Sequence, residues 1–552
     1  MSDPAKPAEK YTANLVDIHH RRVFPAEVTV ERGRIASIRE ASSQDGGNCE
    51  TFLLPGFVDA HVHVESSLLI PSEFGRAAVV HGTVATVSDP HEIANVLGIA
   101  GVEFMLASAA QTSLKICFGA PSCVPATPFE TAGAVLNAAE VAQLLDDPRI
   151  GYLAEVMNFP AVIRGDADML EKIRAAQKRG KPVDGHAPQL RGEACRDYFA
   201  AGVTTDHECV SYEEAAEKIG YGVKILIREG SAARNYAALA PLLRHHSASC
   251  MFCSDDLHPD IFVTGHINRL VRRAIADGYE LFNVLRAACV QPVEHYRLPV
   301  GLLRVGEPAD FIEVNNLSEF RVLRTWIDGK LVAEHGQTKL PSVVTAPVNH
   351  FLPIARRPDD FRVAATSNRL RVIGALDGEL ITRHLEAEPK LEHGYAVADP
   401  ERDLLKIVVV NRYAAAPPAV AFIQGIGLKR GAIASSVAHD SHNLVAVGVD
   451  DVSLAAAINE LIAVGGGLAV AEGTNVEILP LPVAGLMSAE PYEQVAAAYS
   501  HLDARAKELG SPLRAPFMTL SFMALLVIPE LKLSDRGLFD CLRGEMTSLF
   551  IR

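Results

Sequence analysis

The stretch PGFVDAHVHVESS, residues 55–67, decides how the rest of the chain is read. A Pro-Gly turn opens it, an apolar run follows, and His61 and His63 stand two apart at the end of that run. On a β-strand, side chains two apart point to the same face, so the two imidazoles lie side by side where one divalent cation can be shared. Asp59 falls on the same face and is expected to orient one of the rings. Two surface histidines are the plain alternative, but the apolar strand in front of them favours a metal-binding pair.

Working outward, to about residue 298, short apolar runs alternate with helix-like segments. The runs include TVATVSD at 83–89, IGYLAEVMN at 150–158, PVDGHA at 182–187 and VTTDHE at 203–208. Helical patterns occupy 170–179, stopped by Gly180, and 212–219. Such alternation over roughly 240 residues predicts parallel βαβ units; the length suits a β/α barrel, although an open doubly wound sheet has the same local signature. In a barrel the C-terminal strand ends converge on one face. Glu155, His186, His207 and Asp255 each end an apolar run of their own. Any one of them alone is more often a satisfied polar residue. Together with His61 and His63 they make a rare combination, and it points to a metal site at the barrel mouth.

The flanks differ in texture. Short alternating runs at 15–40, with a turn at 31–33, are followed by a polar stretch at 42–50. Similar strand-and-turn texture returns at 302–336, with turns at 305–307 and 328–329. The expected organisation is a disordered tail (1–9), a small β domain formed by both flanks (10–53 plus 302–346), a catalytic β/α barrel (54–301) and a C-terminal α/β (α+β) domain (347–552). That last unit contains strand-like LLKIVVVN and LVAVGVDD and helix-like PYEQVAAAYSHLDARAKELG.

Composition removes several classes of function. Of 552 residues, 49% are hydrophobic and 22% charged, the balance of a soluble globular protein. A net charge of −15 argues against a nucleic-acid partner, which requires clustered Lys and Arg. Nine scattered cysteines suit a reducing compartment rather than a disulfide framework. Residues 1–10 lack the apolar core of a signal peptide, and the most apolar stretch, 96–110, carries Glu103 and is too short to span a bilayer. No membrane association and a cytoplasmic location are therefore expected.

Several longer segments carry a family resemblance: VSDPHEIANVLG, SCVPATPFE, LAEVMNFPAVI, DGHAPQL, AGVTTDHE, IREGSAA and CSDDLHPD, then GLKRGAIASSVAHDSHNLVAVG, LPLPVAGLMS and PFMTLSF. With PGFVDAHVHVESSLL they resemble the adenine deaminases of the amidohydrolase superfamily over nearly the whole chain. The H-x-H strand alone would indicate only the superfamily; DPHEIANV and AHDSHN point to the narrower family. The resemblance implies hydrolytic deamination of adenine to hypoxanthine and ammonia by a metal-activated hydroxide. It implies two divalent cations, Mn2+ or Fe2+ before Zn2+. His61 and His63 would hold the first, Glu155 would bridge, His186 and His207 would hold the second, and Asp255 would be ligand and proton carrier. A second copy of the chain, forming a homodimer, is implied by the resemblance alone.

Protonation of ring nitrogen N1 requires an acid, and Glu92 in the SDPHE segment is the choice, with Asp89 and His91 positioning it. Asp89 has a second reading as an N-cap. Glu65 and Ser66 either contact the purine or close a loop, and Arg228 with Glu229 is either a substrate contact or a strand-end ion pair. His439 and His442 reach over the barrel mouth, bind another metal, or form a hydrogen-bonded turn. The chain departs from the family at NRYAAAPP, where two histidines are usual and Tyr413 and Ala414 stand instead. Cys250 and Cys253, a lone C-x-x-C, read as buried thiols. The competing functions are hydrolysis of another aminopurine or a cyclic amide, and an inactive amidohydrolase-like scaffold.

Overall fold

The strand that carries the two histidines is buried at all of its positions, as expected of a parallel strand covered on both faces. In the computed structural model, which describes residues 8–41 and 49–551, it is the first of eight parallel barrel strands. Before it come β1 (Glu9–Asp17), β2 (Arg22–Glu31), β3 (Arg34–Glu40) and β4 (Phe52–Pro55). The barrel strands are β5 (Phe57–Val62), β6 (Thr83–Ser88), β7 (Lys115–Ala120), β8 (Ile150–Val156), β9 (Val183–Gly185), β10 (Thr205–Asp206), β11 (Lys224–Arg228) and β12 (Cys250–Cys253).

They hydrogen-bond as runs of five and three. Thr204 N donates to Val183 O at 2.8 Å between the runs, and Asp255 N donates to His61 O at 2.9 Å where β12 meets β5. These contacts close the ring. The barrel expected from strand–helix alternation is present, and the open doubly wound sheet is not. Cys250 and Cys253 are free, buried thiols on β12.

The crossover helices obey their end signals. Ala167–Lys178 starts at Asp166, whose carboxylate accepts from Met169 N, and stops before Gly180, whose φ of 65° turns the chain back. Tyr212–Gly220 starts at Ser211, whose hydroxyl accepts from Glu214 N.

Both flanks contribute to one eight-stranded sheet, which continues through β13 (Phe311–Val314), β14 (Val322–Ile327), β15 (Lys330–Glu334) and β16 (Gln337–Thr338). Its centre is β4, parallel to β1 and antiparallel to β13, with Leu54 opposite Ile312. Hairpins turn at Glu31–Arg34 and Ile327–Lys330, where short turns are expected. Glu9, expected in the tail, instead opens β1 and pairs with Val30, because alternating polar and apolar residues let the strand start there. Residues 1–7 of the expected tail and most of the polar stretch, 42–48, lie outside the described residues.

The C-terminal region is a second, mostly antiparallel, eight-stranded sheet. Strand Leu405–Val410 shows why it needs two covers. Ile407 and Val409 join the core that continues into the barrel, while Val408 and Val410 join a core under helix Asp451–Val464. One face of this sheet is thereby pressed toward the barrel, and its loops reach the barrel mouth.

Candidate active site

β5 and β12 place the first group of donors together. His61 and His63 point inward, and Asp255 follows β12 with φ 55°, a left-handed conformation uncommon outside glycine. The strained backbone is held from both sides: Asp255 N donates to His61 O, and Asp255 O accepts from His63 N at 3.4 Å. This turn aims the carboxylate into the barrel. Asp255 Oδ1 lies 3.4 Å from His61 Nε2 and 3.3 Å from His63 Nε2.

Glu155 ends β8 on the opposite side, and its two oxygens face different imidazoles. Oε1 is 3.4 Å from His63 Nε2; Oε2 is 2.7 Å from His186 Nδ1 and 3.2 Å from His207 Nε2. His61, His207 and Asp255 form one close group of donor atoms, and Glu155, His186 and His207 form another. All six side chains meet, and all but the half-buried His186 are buried.

The electrostatics are those of a cation site. Burial opposes ionisation of Glu155, yet His186 and His207 hold its carboxyl well below the usual range. Burial likewise opposes ionisation of Asp255, which Arg228, His61 and His63 outweigh. Burial and the neighbouring His207 push His61 down, so its imidazole is neutral and its lone pair is free to donate. His61 is fully buried, and neither ring nitrogen makes a hydrogen bond. Leaving such atoms unmatched costs about 1–3 kcal/mol each. A divalent cation answers that deficit, and a set of imidazoles and carboxylates suits first-row metals.

Asp59 departs from expectation. Its carboxylate accepts from the backbone N of His61 at 3.3 Å, from Ser254 N at 3.0 Å, and pairs with His266 Nε2 at 2.7 Å. It therefore fixes the backbone that carries His61 and holds the His266 ring, instead of orienting the ring of His61 or His63. Asp59 stands at mid-strand, whereas the two histidines stand at the strand end.

The remaining predicted residues divide into those that line the cavity at the barrel mouth and those behind its wall. His91, Glu92 and Arg228 line it; Glu65, Ser66 and Asp89 do not. Glu65 Oε1 accepts from Ile93 N at 3.3 Å, and burial pushes its carboxyl up to about 7. Asp89 Oδ1 accepts from His91 N at 3.0 Å, and its Oδ2 lies 3.1 Å from His91 Nδ1; the N-cap of helix His91–Leu97 is Pro90, not Asp89 as the alternative reading had it.

Ser66 Oγ lies 2.6 Å from Asp256 Oδ1 and 3.0 Å from Glu92 Oε1. One hydroxyl proton serves only one carboxylate, so the shorter contact leaves Ser66 Oγ to accept a proton from Glu92. Burial and the adjacent Glu65 push Glu92 well above the usual carboxylate range, in agreement with a neutral acid.

Arg228 pairs with Glu208 and Asp255, and its Nε donates to Ala233 O at 2.6 Å. The alternative pairing with Glu229 is not formed, because Glu229 turns outward to Arg273 at 2.8 Å. His439 enters the cavity, 3.5 Å from Glu92 Oε1 and stacked on Phe522, whereas His442 accepts from Ala438 N and supports the turn. Glu92, His439 and His442 also lie close enough to share a cation. Tyr413 stays outside the cavity; its hydroxyl donates to Ser441 O at 2.6 Å.

Sequence reasoning missed Glu208, Asp256 and Asp440, which also line the cavity. Each adjoins a residue already singled out. Strict strand alternation would turn Glu208 away from His207, but β10 ends at Asp206, whose carboxylate accepts from Glu208 N at 2.7 Å and bends the chain there. Leu380, Phe522, Leu525, Val527 and Ile528 from the C-terminal region close the mouth with an apolar wall. The free space is about 40 Å³, room for roughly two or three waters.

A closed ring of parallel strands, with an H-x-H pair at the end of its first strand and Glu, His, His and Asp at the ends of later ones, is an amidohydrolase. The amidohydrolase family model matches residues 52–332. The model described as adenine deaminase C-terminal domain matches residues 379–545. A protein named adenine deaminase from Salinibacter ruber is 57% identical over 97% of this chain and 98% of its own. Those of Methanosarcina mazei (50% identical, 98% and 99% covered) and Borreliella burgdorferi (44%, 96% and 98%) are similar at comparable extent. The chain belongs to the adenine deaminase family. Among solved structures, a β-aspartyl dipeptidase from Fervidobacterium islandicum is similar, with TM-score 0.45, 16% identity, and 59% and 97% of the two chains covered.

Proposed function

We propose that this enzyme hydrolyses adenine to hypoxanthine and ammonia, and that the carrying observation is Glu155, whose two oxygens face separate imidazoles across a cavity that also holds Glu92. His61, His63 and Asp255 would hold one divalent cation, His186 and His207 a second, with Glu155 between them. Bound cations supply Lewis acidity, which brings ionisation of water near neutral pH. Asp255, held as an anion by Arg228 and the histidines, takes the proton released by the attacking water and passes it to the departing amino nitrogen. Glu92, neutral and hydrogen-bonded to Ser66, gives its proton to N1 as C6 becomes tetrahedral, and the C6 hydroxyl proton restores it as ammonia leaves and the carbonyl forms. Phe522 and Leu525 provide apolar surface for the purine.

Mn2+ or Fe2+ is the preferred pair, supported by the family resemblance. The same resemblance supports a homodimer, nine scattered cysteines support a cytoplasmic location, and no helix among the described residues is long and apolar enough to cross a membrane. The division into a β domain from both flanks, a barrel and a C-terminal unit is our reading of the shared sheet around β4. Incubating the purified, Mn2+-loaded enzyme with adenine, other aminopurines and a hydantoin tests the reading. Stoichiometric ammonia and hypoxanthine from adenine are expected; an inert adenine beside a reactive alternative base contradicts it.

A further inference from the structure

The catalytic residues leave unused a second cleft of about 340 Å³ between the segments that follow β11 and β12. Arg234 lines it from the β11 side, Ser254 from the β12 side, and Arg269, Arg272 and Arg273 from helix Ile267–Ala276. Glu229 neutralises Arg273 at 2.8 Å. Among the described residues, Arg234, Arg269 and Arg272 have no ion-pair partner. Arg234 Nε donates to Gly230 O at 2.9 Å, and Arg269 Nη1 reaches Thr264 Oγ1 at 3.4 Å. In a chain of net charge −15, three unmatched guanidiniums around one concavity run against the general field.

The local design keeps them there. Gly265 has φ 154°, and a Cβ at that position would meet Arg269 Cγ at 2.4 Å, so the missing side chain lets Arg269 lie along the wall. Burial, with Arg234 and Arg272 nearby, weakens the hold of Arg269 on its proton, an electrostatic cost that an anion would relieve. The helix Ile267–Ala276 has no side-chain cap, so its first N–H groups and dipole add to the positive field. β11 and β12 are the seventh and eighth barrel strands, and loops after these strands, with a helix N-terminus, are where β/α barrels commonly hold phosphate.

We propose that this cleft binds a phosphate group, either free phosphate or the phosphate of a small phosphomonoester. Planar, forked guanidiniums match its oxygens two at a time. The site is separate from the metal ligands and does not depend on the deamination reading.

Titration calorimetry on the full-length, metal-loaded enzyme tests it, with inorganic phosphate, AMP and adenosine as probes. Phosphate or AMP is expected to bind, with an affinity that weakens in salt, while adenosine does not compete for the cleft. Tighter binding of AMP than of phosphate identifies a phosphomonoester; equal binding identifies the free ion. Arg272→Glu, at an exposed position, and Arg269→Gln should each weaken binding at least tenfold while adenine turnover persists. Absence of binding by both phosphate and AMP overturns the proposal. So does binding that neither substitution weakens, since the anion would then sit elsewhere, as at the metal centre.

Discussion

At the scale of single residues, the site works by giving neighbouring carboxyls opposite protonation states. Glu155 and Asp255 are surrounded by imidazoles and a guanidinium and stay ionised, whereas Glu92 sits among carboxyls and stays neutral. Glu155→Gln keeps the shape but removes the charge between the two donor groups. It should lower bound metal by at least one equivalent and reduce turnover by about 10³-fold or more, read by elemental analysis beside kcat. Glu92→Gln should behave differently, retaining metal while kcat falls about 10²–10⁴-fold, the usual worth of a positioned acid. Because Glu92 acts in its protonated form and its affinity for the proton is raised, wild-type kcat should fall as pH rises past that raised value. The variant should lack this alkaline limb, and a variant that keeps it would remove Glu92 from the role.

At the scale of elements, Arg228 braces the ends of β10, β11 and β12 by holding Glu208 and Asp255 together. Arg228→Met would leave two buried carboxylates facing each other. A loss of about 3–5 kcal/mol in stability is expected from chemical denaturation, because breaking a buried pair strands its partners. The segment containing Phe522, Leu525, Val527 and Ile528 forms the apolar wall of a narrow cavity. This wall faces the metal ligands across the cavity, so Phe522→Ala should change KM more than metal content, measurable in the same assays. Much at this scale was legible in the sequence. Apolar runs ending in His, Glu or Asp gave the barrel strands and their ligands, because the C-terminal ends of barrel strands converge whatever lies between them. What escaped were residues just past the strand ends. Glu208, Asp256 and Asp440 depend on how the chain bends after a strand, and period-two alternation does not describe that bend. The partners of Asp59, two backbone N–H groups and His266, have no signature in spacing.

At the scale of the whole molecule, three regions far apart in sequence make one site. The flanking sheet holds β4, which leads directly into β5, and the C-terminal sheet carries His439, Asp440 and Phe522 to the barrel mouth. The similarity of the two flanks in texture was readable, since both are short alternating strands with tight turns. The reach of AHDSHN across to helix His91–Leu97 was not, because long-range packing of one sheet face on a barrel leaves only an apolar stripe in the sequence. Prolonged chelation should abolish adenine turnover and Mn2+ should restore it, a result that separates a metal enzyme from an inactive scaffold. The most direct measurement is an anomalous-difference map from crystals of the active, Mn2+-loaded enzyme. Two peaks on either side of the Glu155 carboxylate, one beside His61 and His63 and one beside His186 and His207, are expected. Full activity with no peak beside these histidines would contradict the account.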